Sequence, residues 1–393
     1  MCKPRKFLLY FVVFMLIIIP LNRAAAEQPD FDLTAHSAIL MEAMTGEILF
    51  SKNPDKKLPP ASMTKIMTML LIMEAVDDGR VNLSDKIVVS ERAASMGGSQ
   101  VYLEPGEEMT LEQMMKAVAI SSANDASVAV AEYVYGTEER FIKRMNERAT
   151  ELGMKNTYFY NTNGLPTGDE EIEGNYTTAY DLSLVTREIL KYPKVFEWTS
   201  TWIDYLRDGD FVLNNTNRLV RHYQGADGLK TGYTSEAKFC VTSTAQRDNL
   251  RFISVIMGAD SSNNRFKEAA QLLSYGFNIF KSELIAEKNQ VIKEIDIWNA
   301  RSRKVTIKAK NKLSIPIKKG KEEDIEQKVE INEDIKAPLE KGSVVGKIKV
   351  FKGNLMMDET DLIIDREVKK ASFLQLLVRL FKILVNKLSN LFF

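Results

Sequence analysis

Two strand-patterned blocks stand far apart in this chain and enclose a long helical stretch. The first reads HSAILMEAMTGEILFSKNPDKKLPP from His36, with apolar runs at 38–41 and 48–50 around Thr45-Gly46, the pattern of a hairpin. The second reads KTGYT at 230–234, KFCVTSTAQ at 238–246 and LRFISVIMGA at 250–259, the last two parted by a tight turn at Arg247-Asp248-Asn249. Neither block can bury its apolar face alone. Both must meet in one mostly antiparallel sheet, with the residues between them folded out as an inserted helical lobe. The expectation is an α+β domain with a crevice between sheet and lobe.

The lobe is legible in outline. Ser62 to about Val76, SMTKIMTMLLIMEAV, predicts a largely buried helix. Its methionines fit core filling better than any cofactor contact. Further helices are expected at 111–119, 125–134, 138–152 and 179–190, the last capped by Thr177 or Thr178. Residues 86–90 read as a short strand. SSAND at 121–125 breaks one helix from the next. Gly97-Gly98 lacks the strand–loop–helix setting and the GK[ST] ending of a phosphate loop. A helix at 264–281 follows the last strand.

With 393 residues, one hydrophobic core is not expected to suffice. Residues 27–282 read as the first domain. Residues 283–368 are lysine- and glutamate-rich, with KVTIKA, LSIPIKK and SVVGKIKVF predicting short strands of a small all-β domain. Residues 369–393 predict an amphipathic helix. Gln375, Arg379, Lys382 and Asn386 form one narrow polar face, and Phe373, Leu376, Leu377, Leu380, Phe381, Leu384 and Leu388 cover most of the remainder. Such a helix could lie in a membrane interface, or dock on the β domain, or join two copies. The basic residues before it favour the membrane surface.

The first 26 residues have a basic start (Lys3, Arg5, Lys6), an apolar run from Phe7 to Ile19 and small residues at 24–26, the three regions of a signal peptide. A retained anchor is the alternative, but the apolar run is short for a span. Removal takes four basic residues and no acidic one, leaving 49 basic against 53 acidic. Nucleic acid is therefore not an expected partner. Cys240 would be the lone cysteine, placed as buried packing, and His36 and His222 the two histidines. No metal or organic cofactor is expected.

Three short motifs carry chemistry: Ser62-Met63-Thr64-Lys65, Ser122-Ala123-Asn124 and Lys230-Thr231-Gly232. Ser62 and Lys65 share a face at a helix start. A serine is a weak nucleophile until a base takes its proton, and a lysine serves only if burial or nearby positive charge lowers its pKa. The apolar helix around Lys65 provides that burial. Ser122 could bond Lys65 and relay a proton to a leaving amine, and Asn124 offers both a donor and an acceptor. Lys230 offers a fixed cation and Thr231 a hydroxyl to a carboxylate, while Gly232 leaves a strand edge open. Each motif alone is weak; all three in this order are not.

On these motifs, and on LPPASMTKIMT, SSANDAS and DGLKTGYTSEAKFCVTSTAQRDNLRFISVIMGA around them, the sequence resembles the serine D-Ala-D-Ala carboxypeptidases, the low-molecular-mass penicillin-binding proteins. The similarity runs from about His36 to Phe280, and the β domain and terminal helix match the family layout. The resemblance implies a DD-peptidase/β-lactamase-like domain, with Ser62 acylated, Lys65 the base and Ser122 the proton shuttle. It implies Asn124 on the substrate amide, Lys230 and Thr231 on the terminal carboxylate, and the N–H groups of Ser62 and Tyr233 as the oxyanion hole. Substrates would be peptidoglycan stem peptides ending in D-Ala-D-Ala, with β-lactams as covalent inhibitors and the outer face of the cytoplasmic membrane as the location. One departure is that members often carry a His where GNYTTAYDLSL has Asn175, although Asp181 is kept; Asn175 is given no catalytic role. Two alternatives stand. A serine β-lactamase would need a deacylating glutamate, for which Glu170, Glu171 and Glu173 lack the local pattern. A non-catalytic β-lactam sensor would not need the complete serine–lysine–serine set.

Overall fold

The computed structural model describes residues 29–166, 174–320 and 325–392. The leader at 1–26 and Glu170, Glu171 and Glu173 lie outside the described residues. β1 (Ser37–Glu42) and β2 (Ile48–Lys52) pair antiparallel around the Thr45-Gly46 turn, with a bulge after Leu40. Pro59 and Pro60 end the extended chain. A single 3₁₀ turn, Ala61–Thr64, then leads into α1 (Lys65–Asp77).

This corrects the expectation of a helix beginning at Ser62. Ala61 is left-handed, with φ at 48°, and the Met63 N–H reaches back to the Pro60 carbonyl, so the chain is wound too tightly there for an α-helix. Residues Lys65 to Met73 of α1 are all buried. A helix enclosed on every side has no reason to be amphipathic, which accounts for its unbroken apolar sequence.

The lobe continues with the β3 (Lys86–Val88) and β4 (Glu108–Thr110) pair, α2 (Leu111–Ile120), α3 (Asn124–Tyr135), α4 (Glu138–Glu151), α5 (Ala179–Ile189) and α6 (Pro193–Thr199). Threonines start three of these helices. Thr110 and Gln113 form a capping box on α2, while Thr137 and Thr178 cap α4 and α5. A hairpin of β5 (Ile203–Leu206) and β6 (Phe211–Asn214) was not anticipated. Ile203, Tyr205 and Val212 remain exposed, and each four-residue strand buries a single leucine, Leu206 or Leu213, so the strands are too short for their pattern to stand out.

β7 (Ala226–Thr234), β8 (Lys238–Arg247) and β9 (Leu250–Ala259) complete the sheet in the order β2-β1-β9-β8-β7, antiparallel throughout. The N-terminal hairpin therefore joins the late strands, with Ile39 opposite Val255. β7 lies at the sheet edge and packs against the 3₁₀ turn that carries Ser62. α7 (Ser262–Ile279) covers β8 and β9. Ile39, Leu70, Val118, Phe141 and Ile253 share one core, so sheet and lobe are a single packed body.

A second core containing Ile307, Ile315, Val350 and Leu362 belongs to the β domain. There β10 (Phe280–Ala286) pairs with β13 (Leu313–Lys318). β11 (Val291–Asp296), β12 (Lys304–Ala309), β14 (Ile325–Ile331), β15 (Val344–Lys352) and β16 (Leu355–Ile364) form a sheet ordered β11-β12-β16-β15-β14. The module begins at Phe280, slightly before the boundary expected at 283. α8 (Phe373–Phe392) follows. The Arg379 guanidinium donates to the carbonyls of Trp298, Ala300 and Arg301 at 2.6–3.1 Å. One member of the expected polar stripe thus ties α8 to the β domain, while Phe373 and Phe381 are 78% and 67% exposed. Among the described residues no helix is long and apolar enough to cross a membrane.

Candidate active site

Ser62 and Lys65 meet as the spacing predicts. Lys65 Nζ is 3.1 Å from Ser62 Oγ, 2.6 Å from Asn124 Oδ1 and 2.9 Å from the main-chain oxygen of Asn163. The Asn124 amide is oriented by its own donor, since Nδ2 bonds the Gly97 carbonyl at 2.7 Å. Both Asn124 Oδ1 and Asn163 O can only accept. A neutral amine has two N–H groups and one lone pair. With both N–H groups taken by these oxygens, the lone pair faces Ser62 Oγ, the geometry a general base requires.

Electrostatics agrees with that protonation state. Lys65 is fully buried, and burial pushes its pKa well below the ordinary lysine range; the nearby positive charge of Lys230 lowers it further, while Asp125 opposes. Lys230 is also buried, and burial together with Arg265 pushes it down to about 7. Lys230 thus acts on Lys65 as a like charge does, while Arg265 does the same to Lys230.

The loop at 95–106 is a clamp on Asn124, not a phosphate cradle. Gly97 O accepts from its side chain, Ser99 O accepts its main-chain N–H at 2.7 Å, and the buried Asp125 carboxylate accepts from the Val101 and Leu103 N–H groups. A turn at 161–165 closes the other side and presents the Asn163 carbonyl. Gly164 in that turn has φ at 85°, and a Cβ there would stand 1.9 Å from the Ala61 carbonyl oxygen, so only glycine fits.

The third motif approaches from the sheet edge. A Cβ on Gly232 would stand 2.7 Å from Pro60 O and 3.3 Å from Ser62 N, so β7 presses directly on the nucleophile turn. Thr231 Oγ1 bonds Thr216 Oγ1 at 2.7 Å, and Lys230 Nζ donates to Thr231 O at 3.1 Å. Tyr233 is exposed, its ring 4.5 Å from that of Phe239. A cleft of about 420 Å³ opens beside Ala61, with Thr234, Gly164 and Asn175 in its walls. A larger cavity of about 750 Å³ lies between Arg187 and Arg251, but no serine or cysteine lines it, so size does not mark the chemistry here.

Ser122 departs from expectation. Its buried hydroxyl makes no hydrogen bond among the described residues, whereas Asn124, also suited by its amide to the lysine, does bond Lys65. Ser122 is left-handed, with φ at 64°, a strained state for a side-chain-bearing residue and one that recurs at functional sites. Cys240 is buried as expected, and burial raises its thiol to about 11.

Asn175 is buried and spans two turns with its amide. Its Oδ1 accepts from the Tyr160 and Asn161 N–H groups, and its Nδ2 donates to Thr64 Oγ1 at 2.9 Å. It ties the 161–165 turn to the nucleophile turn. Sequence reasoning missed Asn163, Thr216 and Arg265. Asn163 acts through a main-chain carbonyl, which every residue has. Thr216 sits in Asn-Thr-Asn at 215–217, whose polar run is the one local hint of a buried turn. Arg265 shares its helix with Lys267, and no spacing singles it out.

Comparison with known proteins gives a consistent result. The family described as D-alanyl-D-alanine carboxypeptidase matches residues 22–261, and the C-terminal domain of penicillin-binding protein 5 matches 280–370. The D-alanyl-D-alanine carboxypeptidase DacF of Bacillus subtilis is 44% identical over 88% of each chain. Among solved structures, a peptidoglycan synthesis regulatory factor (PBP3) of Streptococcus pneumoniae superposes with a TM-score of 0.71 at 27% identity, covering 86% of this chain and all of that one. Penicillin-binding protein D2 of Listeria monocytogenes in its ampicillin-bound form gives 0.58 at 33% identity, covering 64% of this chain and all of that one. Neither the lactamase nor the sensor alternative is favoured by these similarities.

Proposed function

Because the chain belongs to the D-alanyl-D-alanine carboxypeptidase family, we propose that its serine-type carboxypeptidase activity runs through an acyl-enzyme on Ser62, formed with Lys65 as base. The observation that carries this assignment is the closure of both Lys65 donor directions by Asn124 and Asn163, which leaves the amine lone pair for Ser62. In the first step Ser62 Oγ attacks the carbonyl carbon of the penultimate D-Ala of a stem peptide, and its proton passes to Lys65. The carbonyl oxygen becomes an oxyanion held by the N–H groups of Ser62 and Tyr233, each worth roughly 3 kcal/mol in such a hole. The proton then passes through the Ser122 hydroxyl to the departing nitrogen, the C–N bond breaks, and D-Ala leaves. Water hydrolyses the ester and restores Ser62. Lys230 and Thr231 receive the terminal carboxylate and Asn124 the substrate amide. A β-lactam follows the first half of this course and remains as an ester.

The second part of the proposal is location. The 1–26 leader supports export, and α8 supports attachment to the membrane surface. Its Arg379 is turned to the β domain while Phe373, Leu374 and Phe381 are largely exposed. An apolar helix face of that kind suits the headgroup–acyl boundary.

The enzyme assignment is tested by release of D-Ala from a stem pentapeptide, by intact mass after penicillin, and by mapping and timing the adduct. Wild type should release D-Ala and gain one slow-decaying adduct on Ser62, and Ser62→Ala neither. An adduct elsewhere would overturn the nucleophile, and fast penicillin turnover would restore the lactamase reading. For location, vesicle co-sedimentation should be lost in a Phe373→Ser, Phe381→Ser double variant.

A further inference from the structure

Behind β7, on the side away from Ser62, α7 places the side chain of Arg265 against the sheet. Arg265 Nη1 donates to the Gly232 carbonyl at 3.1 Å and to the Cys240 carbonyl at 3.3 Å, and Nη2 to Ser262 Oγ at 3.4 Å. Its guanidinium lies over the rings of Phe266 and Phe239, 4.7 and 5.5 Å from their centroids. Gly232 and Cys240 are directly opposed in the β7–β8 ladder, so one nitrogen bridges both strands. The side chain is buried, and burial lowers its pKa to about 10. Its Nε is buried too, with no hydrogen-bond partner among the described residues. A buried guanidinium with an unused donor is costly to keep. What it touches ought to matter.

The Gly232 carbonyl and the Tyr233 N–H are two ends of one peptide group. That peptide is trans, as the cis bonds of the chain lie elsewhere. In a trans peptide C=O and N–H point in opposite directions. A carbonyl held toward Arg265 and β8 therefore aims the N–H at the open edge of β7, where Ser62 sits. A cation donating to the carbonyl also polarises the peptide and makes its N–H a stronger donor.

We propose that Arg265 is a positioning residue for the oxyanion site: through the Gly232 carbonyl it orients and strengthens the Tyr233 N–H that receives the substrate oxygen. This rests on the assignment of Ser62 and Tyr233 above. Arg265 acts through a peptide group, not on the reacting atoms. Its contribution falls on the step in which negative charge forms, not on ligand capture.

The test reads the acyl carbonyl itself. Wild type, Arg265→Gln and Arg265→Lys are acylated with a β-lactam carrying a ¹³C-labelled carbonyl, and the difference infrared band of the ester is recorded. A carbonyl in a strong oxyanion hole absorbs at low frequency. Arg265→Gln should shift the band to higher frequency and slow acylation roughly tenfold, less than the 10²- to 10³-fold cost of losing a donor outright. The noncovalent binding constant should stay unchanged, and Arg265→Lys, which keeps a cation and a donor, should lie between. If Arg265→Gln does not fold, the Arg265→Lys band alone decides. An unchanged band in a folded variant overturns the proposal. So does a loss confined to binding that disappears with an esterified, carboxylate-free β-lactam, since Arg265 would then serve the ligand carboxylate. Failure of the underlying assignment has a different signature: wild type itself shows no low-frequency ester band, or Ser62→Ala is still acylated.

Discussion

Lys65 Nζ stands 3.1 Å from Ser62 Oγ with its two other hydrogen-bonding directions closed by Asn124 Oδ1 and Asn163 O. The relationship fixes which protonation state works. An ammonium would donate to Ser62 and hold its oxygen back, whereas a neutral amine accepts the serine proton. Burial and Lys230 lower the Lys65 pKa, so the neutral form prevails over more of the pH range than for a free lysine. Acylation should therefore rise with pH through the Lys65 pKa and level off above it. Lys65→Arg keeps the charge but cannot act as a base, and should lose about 10²- to 10⁴-fold with no such rise. Stopped-flow acylation by a chromogenic cephalosporin across pH measures both. Wild-type rates in Lys65→Arg would sink the assignment.

Lys230 makes a separate prediction about stability. Its pKa falls from 10.5 in the unfolded chain to about 7 in the fold. Between those values the unfolded chain binds a proton that the native state has released. Stability therefore rises with pH across that window and is lowest below about 7, where the native state carries the full cost of a buried charge. Lys230→Met removes the titration. In urea unfolding the variant should be the more stable protein at neutral pH, with the gap closing as pH approaches 10. A gap independent of pH would mean that Lys230 is charged in the fold throughout.

The parts of the site that were legible in the sequence are those whose chemistry resides in a side chain. The meeting of Ser62, Lys65 and Asn124 was readable because type and order together point to it, and the sheet was readable because β1 and β9 are apolar where they pair. What could not be read depends on backbone geometry or on distant packing. Nothing local in Pro60-Ala61-Ser62 marks Ala61 as left-handed, and its carbonyl lies against Gly164 of a turn a hundred residues on. The Asn163 carbonyl and the Arg265 bridge are contacts between residues far apart in the chain, and no periodicity encodes them. The β5–β6 hairpin buries only Leu206 and Leu213 and leaves Ile203, Tyr205 and Val212 in solvent, so its two four-residue strands show little alternation.

The press of β7 on the nucleophile turn is testable at Gly232. Alanine there would set a methyl 2.7 Å from Pro60 O and 3.3 Å from Ser62 N. Strand and turn must separate by several tenths of an ångström, which moves the Tyr233 N–H from Ser62. Gly232→Ala should fold, since the strain is local, yet acylate about 10²-fold more slowly. Acylation kinetics with circular dichroism on the same sample separates the two effects. A wild-type rate would show that the close approach has no catalytic purpose.

Asn175 holds two turns together with both ends of its amide. Asn175→Asp keeps the acceptor for Tyr160 and Asn161 but loses the donor to Thr64, and Asn175→Ala loses both. Buried N–H groups left without a partner cost about 1–3 kcal/mol each. Alanine should therefore lower stability by about 3 kcal/mol, and aspartate by less. Both should slow acylation, because the Asn163 carbonyl moves with the 161–165 turn. Asn175→His can supply one donor and one acceptor at a time and should fall between wild type and alanine. Urea unfolding and acylation rates should rank the variants alike; a different ranking would mean that Asn175 acts on the chemistry directly.

Ser122 should separate stability from function with opposite signs. Its buried hydroxyl has no partner among the described residues, and its backbone is left-handed. The resting protein gains nothing from that oxygen and bears the cost of leaving it unbonded, about 1–3 kcal/mol. Ser122→Ala removes the oxygen without altering the backbone requirement, so the variant should be at least as stable as wild type in urea unfolding. The proposed shuttle, in contrast, needs the hydroxyl when the leaving nitrogen takes its proton. D-Ala release should fall by about 10²- to 10⁴-fold. Acylation by a thioester analogue of the stem peptide, whose thiolate departs without protonation, should fall much less. A variant that loses stability and both activities in parallel would place Ser122 in the fold; only a selective loss on the poor leaving group makes it the shuttle.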